Sequence, residues 1–369
     1  MNFEFSEDQN MLRDQARRFL EKESPLTDVR KILDGEAIWQ EKTWKEIVEM
    51  GWLGTALPEA YGGIDMGYLE LCVIAEELGR SLAATPFSSS VYLASEAILA
   101  TGSDQQKNDV LTKLATGEQI GTLAVSEKAG GLATRNIEMT ASGNKLSGTK
   151  MPVPDGDLAD IAVVAARNGD DVGLFLVDLS ADGVSRETLE TVDPTRNHAK
   201  LTFDNVEAEP LSGGWDALNS VLDRAAILFA FEQLGGAQAA LEMGRQYALD
   251  RYAFGRPIGS FQAIKHKLAD MYCAVELARS NCYYGAWALS TNADELPIAA
   301  ATARVSATQA YYESSKENIQ THGGMGFTWE FDCHLYYRRA KLLSLAIGSE
   351  LHWKDLLIGR LEAARQAAA

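Results

Sequence analysis

Three features of this 369-residue sequence predict an α+β chain with helical ends and a β middle. Apolar residues recur at helical spacing from residue 7 to about 114. Short β-branched or apolar runs, separated by glycine and asparagine turns, fill the stretch from 117 to about 203. Long helical patterns then return from Trp215 onward. The predicted division is an N-terminal helical domain over 1–117, a middle β domain over 118–210 and a C-terminal helical domain over 211–369. A chain this long exceeds one ordinary core, and its 46% apolar residues are enough to fill the interior.

Met11, Ala16, Phe19 and Leu20 mark one face of the first helix. Trp44, Ile47, Val48 and Met50 mark another, which Gly51 ends. The stretch from Pro58 to Gly63 is a loop by its turn residues, and a strongly apolar helix resumes over 69–82. Residues 120–126, 137–141, 145–148, 161–166, 172–177 and 199–203 read as strands. Helices follow at 218–251, 261–290, 298–321 and 335–367. In the second of these, Ile264, Leu268, Met271 and Val275 recur at helical spacing. The alanine-rich end is expected to fray.

The formal net charge of -18 argues against a nucleic-acid protein, because phosphate neutralisation supplies most of that affinity. An anionic ligand would have to be held by local arginines and helix amino termini. Apolar runs such as 161–166 are far too short to span a bilayer. Met1 is followed by Asn2-Phe3-Glu4-Phe5 with no basic start, so no secretory signal is expected. The four cysteines, Cys72, Cys273, Cys282 and Cys333, form neither a disulfide framework nor a metal-site spacing. A cytoplasmic location with reduced thiols is the expectation. His322, and the adjacent Cys333 and His334, match no zinc spacing, so no metal is expected.

The strongest local motif runs Asp250-Arg251-Tyr252-Ala253-Phe254-Gly255-Arg256-Pro257-Ile258, then Phe261-Gln262. Pro257 breaks the preceding helix and Gly255 permits a tight turn. An arginine just before such a corner places a planar cation against a diphosphate with paired hydrogen bonds. The alternative is that Arg251 caps a helix and Phe254 belongs to the core. In Gln320-Thr-His-Gly-Gly-Met-Gly, the glycines at 323 and 324 let backbone N–H groups approach a phosphate or ribose closely. Glu232 follows the apolar run 227–231, which marks either a functional acid or a buried, paired one.

Arg-x-x-Phe-Gly with its downstream Gln, and the Gln-x-x-Gly-Gly-x-Gly turn followed by Tyr337-Arg338-Arg339-Ala340-Lys341, resemble the acyl-CoA dehydrogenase family. The Pro58 loop and the Ala75-Glu-Glu-Leu-Gly-Arg80 helix end extend the resemblance over nearly the whole chain. It implies that family's fold: an N-terminal helical domain, a central β-barrel-like domain and a C-terminal four-helix-bundle domain. It also implies FAD. In those enzymes the arginine, the glutamine and the glycine turn contact the ADP part of an FAD held mainly by a neighbouring subunit. By that carry-over Arg251, Phe254, Gln262, Gln320, Gly323 and Gly324 form the dinucleotide edge of a shared site.

The chain departs from the family in two places. The usual Thr-Glu-Pro run into a Gly-Ser-Asp turn is here Val125-Ser126-Glu127-Lys128-Ala129-Gly130-Gly131-Leu132-Ala133. Ser126 keeps a hydroxyl and Glu127 is retained, but the Gly-Ser-Asp turn is absent. The next flavin-facing segment normally carries an aromatic, an aliphatic and a Thr or Ser before Asn-Gly. Here it reads Met151-Pro152-Val153-Pro154-Asp155-Gly156: two prolines remove two donors, and Pro154 replaces the hydroxyl residue. Lys150, Gly156, Ala159 and Asp160 still match. The middle domain is therefore expected to keep its fold and to cradle an isoalloxazine poorly.

The second departure is the base. The family's chemistry needs a carboxylate in a dry pocket to take the α-proton of an acyl thioester while hydride leaves the β-carbon. Many members carry that glutamate where this chain has Ile347. Others place it near the start of the long helix, and counting back from Arg251 puts Ala225 there. Asp223, beside Arg224, and Glu232 are the remaining candidates.

The resemblance implies three readings. In the first, the chain is a base-lacking, flavin-poor subunit of an FAD-dependent acyl-CoA dehydrogenase. It is then similar to the smaller subunits of bacterial heterotetrameric (α2β2) enzymes that oxidise CoA thioesters of steroid side chains. A paralogous partner supplies the glutamate, the ring contacts and the acyl pocket, and this chain supplies the ADP edge. The second reading is a self-sufficient homo-oligomer using Glu232 or Asp223. The third is a non-catalytic scaffold, in which Arg251, Gln262 and Gly323-Gly324 would have no evident use. An acyl-CoA is the implied substrate and an electron-transfer flavoprotein the implied acceptor.

Overall fold

The computed structural model describes residues 5–128 and 131–367. Outside them lie Met1 to Glu4, which carried the secretion argument, Ala129 and Gly130 of the 125–133 run, and the last two alanines of the C-terminal tail. Helices α1 Glu7–Glu23, α2 Leu26–Leu33, α3 Glu41–Glu49, α4 Tyr68–Arg80, α5 Glu96–Thr101, α6 Asp104–Gln106 and α7 Thr112–Ala115 come first. Strands β1 Gly121–Ala124, β2 Thr140–Ser142, β3 Lys145–Pro154, β4 Ile161–Asn168, β5 Asp171–Asp178, β6 Val184–Thr188, β7 His198–Glu207 and β8 Glu209–Leu211 follow. After α8 Gly214–Asp250 come a small hairpin, β9 Tyr252–Ala253 and β10 Arg256–Pro257, and then α9 Gln262–Ser290, α10 Leu296–His322, α11 Cys333–Leu343 and α12 Glu350–Ala367. No helix among the described residues is long and apolar enough to cross a membrane.

The chain divides into two compact units: one holds residues up to Arg30, Cys72–Ala83 and everything from Ala226, and the other holds Lys31–Leu71 and Ala84–Ala225. The second unit is built on one mixed eight-stranded sheet in the order β6-β7-β3-β2-β4-β5-β8, with β1 pairing β4. Its core is aliphatic and aromatic: Leu146, Val153, Val164, Phe175, Leu201 and Phe203 are all buried in one cluster. The sequence pattern ended the third strand at 148. The structure carries β3 to Pro154, because its register against β7 shifts between Lys150 and Val153 and takes Pro152 out of the ladder. Edge strands β6 and β8 were not legible. β6 has one apolar residue, Val184, and β8 is three residues long.

In the first unit α4 and α8 approach through paired glycines. A methyl group on Gly79 would overlap the Glu232 carbonyl, and one on Gly235 would overlap the Glu76 carbonyl. Buried acids on α4 are met by arginines from neighbouring helices: Glu77 by Arg17 at 2.7 Å and Glu76 by Arg279 at 2.7 Å. Of the predicted first-helix face, Ala16 and Leu20 are buried, whereas Met11 is exposed. The single helix expected over 335–367 is two helices. Gly348, at φ +104°, breaks them, and the Trp353 indole N–H donates to the Ile347 carbonyl at 3.1 Å to fix the turn.

Candidate functional site

At the end of α8 the Arg251 N–H still donates to the Tyr247 carbonyl at 2.9 Å, and the Ile258 N–H returns to the Arg251 carbonyl at 2.8 Å. Inside that closure Ala253 pairs with Arg256 and Tyr252 with Pro257. Phe254 and Gly255 are left as a two-residue turn with φ of +54° and +77°. This is the left-handed pair that a tight hairpin requires. Glycine adopts it freely, but a bulky aromatic does not, so the turn holds Phe254 in a strained backbone conformation. Its ring is 96% exposed, which removes the alternative that it belongs to the core. It meets Phe261 edge-on at 6.1 Å, and the Arg256 guanidinium lies 4.1 Å from the Phe261 ring centre.

The remaining edge residues gather at the same end of the α8–α9–α10 cluster. α9 and α10 run antiparallel across the short 291–295 connection, and Lys267 in the second turn of α9 is ion-paired to Glu317 in the last turns of α10. Gly244 of α8 packs on Asn318, and Tyr247 stacks on His322 with ring centres 4.0 Å apart. Gln262 and Gln320 are exposed there, and their side chains, like that of Arg251, have no hydrogen-bond or ion-pair partner among the described residues. Gly323 turns the chain at φ +61°, and a methyl group on Gly323 or Gly324 would meet nothing within 4 Å. An open glycine backbone beside an unpaired guanidinium and two unpaired amides fits the ribose and diphosphate of a dinucleotide. His322 itself is buried in the stack, its Nδ1 is 2.8 Å from the Asn318 carbonyl, and burial lowers its pKa.

A nearby groove of ≈ 1020 Å³ in this unit is lined by Arg80, Glu242, Tyr247, His322, Phe331 and Tyr336 among others. Two of its arginines, Arg17 and Arg80, are already paired, to Glu77 and Glu242, whereas the third, Arg245, is exposed.

The segment expected to face a flavin ring lies in the second unit and is built differently. Lys150 is wholly buried; its ammonium donates to the Val125 carbonyl at 3.0 Å and to Glu127 at 2.6 Å. Glu127 in turn accepts the N–H groups of Glu138 at 2.7 Å and Met139 at 3.1 Å. Burial pulls the Lys150 pKa down to about 8 against the opposing effect of Glu127. The Met151 N–H is spent on the Ser126 carbonyl and the Asp155 N–H on the Asn197 carbonyl. The Asp155 carboxylate accepts the Ser89 hydroxyl at 2.6 Å. Pro152 and Pro154 have no N–H to give. These residues fit a self-contained strand end and do not fit hydrogen-bonded retention of a flavin ring.

Neither expected base position carries an acid. Ile347 is buried in the turn between α11 and α12, and Ala225 is buried in α8. Asp223 is buried one residue before Arg224, which is committed to Glu96 at 2.8 Å and to Tyr68. Glu232 is buried with Oε1 3.9 Å from the Arg339 guanidinium, and Arg339 also donates to the Leu82 carbonyl at 3.3 Å. Arg304, bonded to the neighbouring Gln233, is pulled down to about 9 by burial, with Glu232 opposing the shift. For Glu232 the surroundings are those of a paired structural acid. Cys333 is buried and His334 stacks on Trp329 at 5.1 Å; no group of three or more potential metal ligands is found among the described residues.

One feature of the hairpin went unnoticed in the sequence: the stacking of Arg256 on Phe261. A five-residue separation matches neither helical nor strand periodicity, so only the Gly-Arg-Pro turn chemistry hinted at it.

Family models for the acyl-CoA dehydrogenase N-terminal, middle and C-terminal domains match residues 6–118, 122–206 and 212–356. The acyl-CoA dehydrogenase IpdE2 of Mycobacterium tuberculosis is 34% identical over 90% of this chain and 91% of its own length. Among solved structures, the Tcur3481–Tcur3483 steroid ACAD is similar with a TM-score of 0.89 at 34% identity, over 98% of this chain and 99% of the other. The ChsE4–ChsE5 complex from Mycobacterium tuberculosis matches with a TM-score of 0.90 at 28% identity, over 98% and 99%.

Proposed function

Because this chain belongs to the acyl-CoA dehydrogenase family of FAD-dependent oxidoreductases, we propose that it is the ADP-edge subunit of a heteromeric acyl-CoA dehydrogenase. One contrast carries the reading: an open, partnerless dinucleotide edge in a chain whose two base positions hold Ile347 and Ala225. The partner is a paralogous subunit in an α2β2 assembly that supplies the catalytic glutamate. Two similar structures support this: one is the ChsE4–ChsE5 complex and the other the Tcur3481–Tcur3483 steroid ACAD. The substrate class is an acyl-CoA, with a steroid side chain as the acyl group, and an electron-transfer flavoprotein is the acceptor.

FAD, when bound, supplies the hydride acceptor for α,β-desaturation. The work of this chain is binding and orientation. Arg251 sets two N–H donors against the diphosphate, Gln262 and Gln320 offer amides to the adenylate half, and Gly323-Gly324 let the backbone close in. Phe254 covers the ligand from the hairpin tip. The sequential division 1–117, 118–210 and 211–369 frames this reading, with the edge confined to the last part. Arg251→Ala in the co-expressed complex is expected to strip flavin through dialysis while the two chains stay associated. Full flavin retention by that variant would sink the assignment.

A further inference from the structure

Arg256 is the return residue of the β9–β10 hairpin, and three observations make it more than a solubilising charge. It is exposed and its side chain has no hydrogen-bond or ion-pair partner among the described residues, in a chain with 52 acidic and 34 basic side chains. Its guanidinium lies over the Phe261 ring, 4.1 Å from the ring centre, a cation–π contact that leaves its N–H donors without a protein acceptor. The ring that holds it also contacts Phe254, whose side chain is 96% exposed on a strained backbone. A surface arginine without such support would sample many rotamers and lose that entropy on binding; this one has paid it in advance.

The surrounding charges favour an anion. Lys265 and His266 are exposed on the first turns of α9, and Arg251 lies at the base of the same hairpin. The nearby acid, Asp250, accepts a hydrogen bond from Gln246 at 2.8 Å.

We infer that Arg256 is a second cationic contact to the phosphate groups of the adenosine-diphosphate half of FAD, beside Arg251. The inference rests on the proposed FAD-edge role and adds a recognition residue to it. A guanidinium meeting a phosphate oxygen makes a charge-assisted hydrogen bond, a class whose loss weakens binding by roughly tenfold or more.

The test is equilibrium dialysis of the co-expressed complex against FAD, comparing wild type, Arg256→Ala, Arg256→Lys and Arg251→Ala at two protein concentrations tenfold apart. Arg256→Ala is expected to weaken FAD binding about tenfold at both concentrations and to flatten its salt dependence. Arg256→Lys should fall between it and wild type. Wild-type affinity in Arg256→Ala, beside a clear loss in Arg251→Ala, would overturn this inference and leave the edge reading intact. A weakening that disappears at the higher protein concentration would also overturn it, assigning Arg256 to a carboxylate of the partner subunit. Absence of FAD binding by the wild-type complex would overturn both.

Discussion

Lys150 of β3 and Glu127 form a buried ion pair in the middle domain. The ammonium is enclosed, and its carboxylate partner ties β3 to the backbone leading into β2. Breaking one side of such a pair leaves an uncompensated buried charge, so Lys150→Met is expected to lower unfolding stability by about 3 kcal/mol. Adding Glu127→Gln should recover part of that loss; urea melts of both variants would measure it. The pH dependence has a definite sign. The folded pKa is depressed to about 8, below the ordinary lysine value near about 10.4. Between those values the unfolded chain binds more protons, so this residue makes stability rise with pH across that window. The rise should vanish in Lys150→Met. For Glu232, pairing with Arg339 implies a structural role. Glu232→Gln in the complex should lower the melting temperature by several degrees and leave turnover per bound flavin within about twofold. A large loss of turnover at unchanged flavin content would return the base to this chain.

At the scale of elements, the α4–α8 crossing is set by Gly79 and Gly235, each lying against a carbonyl of the other helix. Gly235→Ala is expected to cost at least about 3 kcal/mol, because backbone, unlike a side-chain tip, has no room to yield. Thermal denaturation of the purified variant reads this directly, and a wild-type melting curve would contradict the crossing geometry. The sequence announced long elements well. The three helices α8, α9 and α10 were visible from periodicity, with ends within a few residues of those observed. Short or composite elements were not visible. The split at Gly348 was hidden by continuous helix-forming residues on both sides, and β3 was hidden by prolines that a register shift accommodates. The hairpin was announced by its turn residues, but not the direction in which Phe254 faces, because exposure depends on what packs around it.

At the scale of the whole molecule, the motifs named a family and an FAD edge, and the missing residues were equally legible, since Ile347 and Ala225 are read directly from the chain. The geometry adds which features are mutually consistent. Arg251, Gln262, Gln320 and the Gly323-Gly324 turn converge at one end of one unit and remain unpartnered there. The strand bearing Pro152 and Pro154 satisfies its own polar groups in the other. On the proposed reading, a chain that keeps the nucleotide edge while closing its own ring strand uses FAD only when another subunit presents it. The most direct test is the visible absorption spectrum and flavin-to-protein ratio of the full chain purified alone and co-expressed with a paralogous dehydrogenase subunit. No bound flavin is expected in the chain alone, and about one flavin for each pair of unlike chains in the complex. Flavin bound by the chain alone, with acyl-CoA turnover, would contradict this.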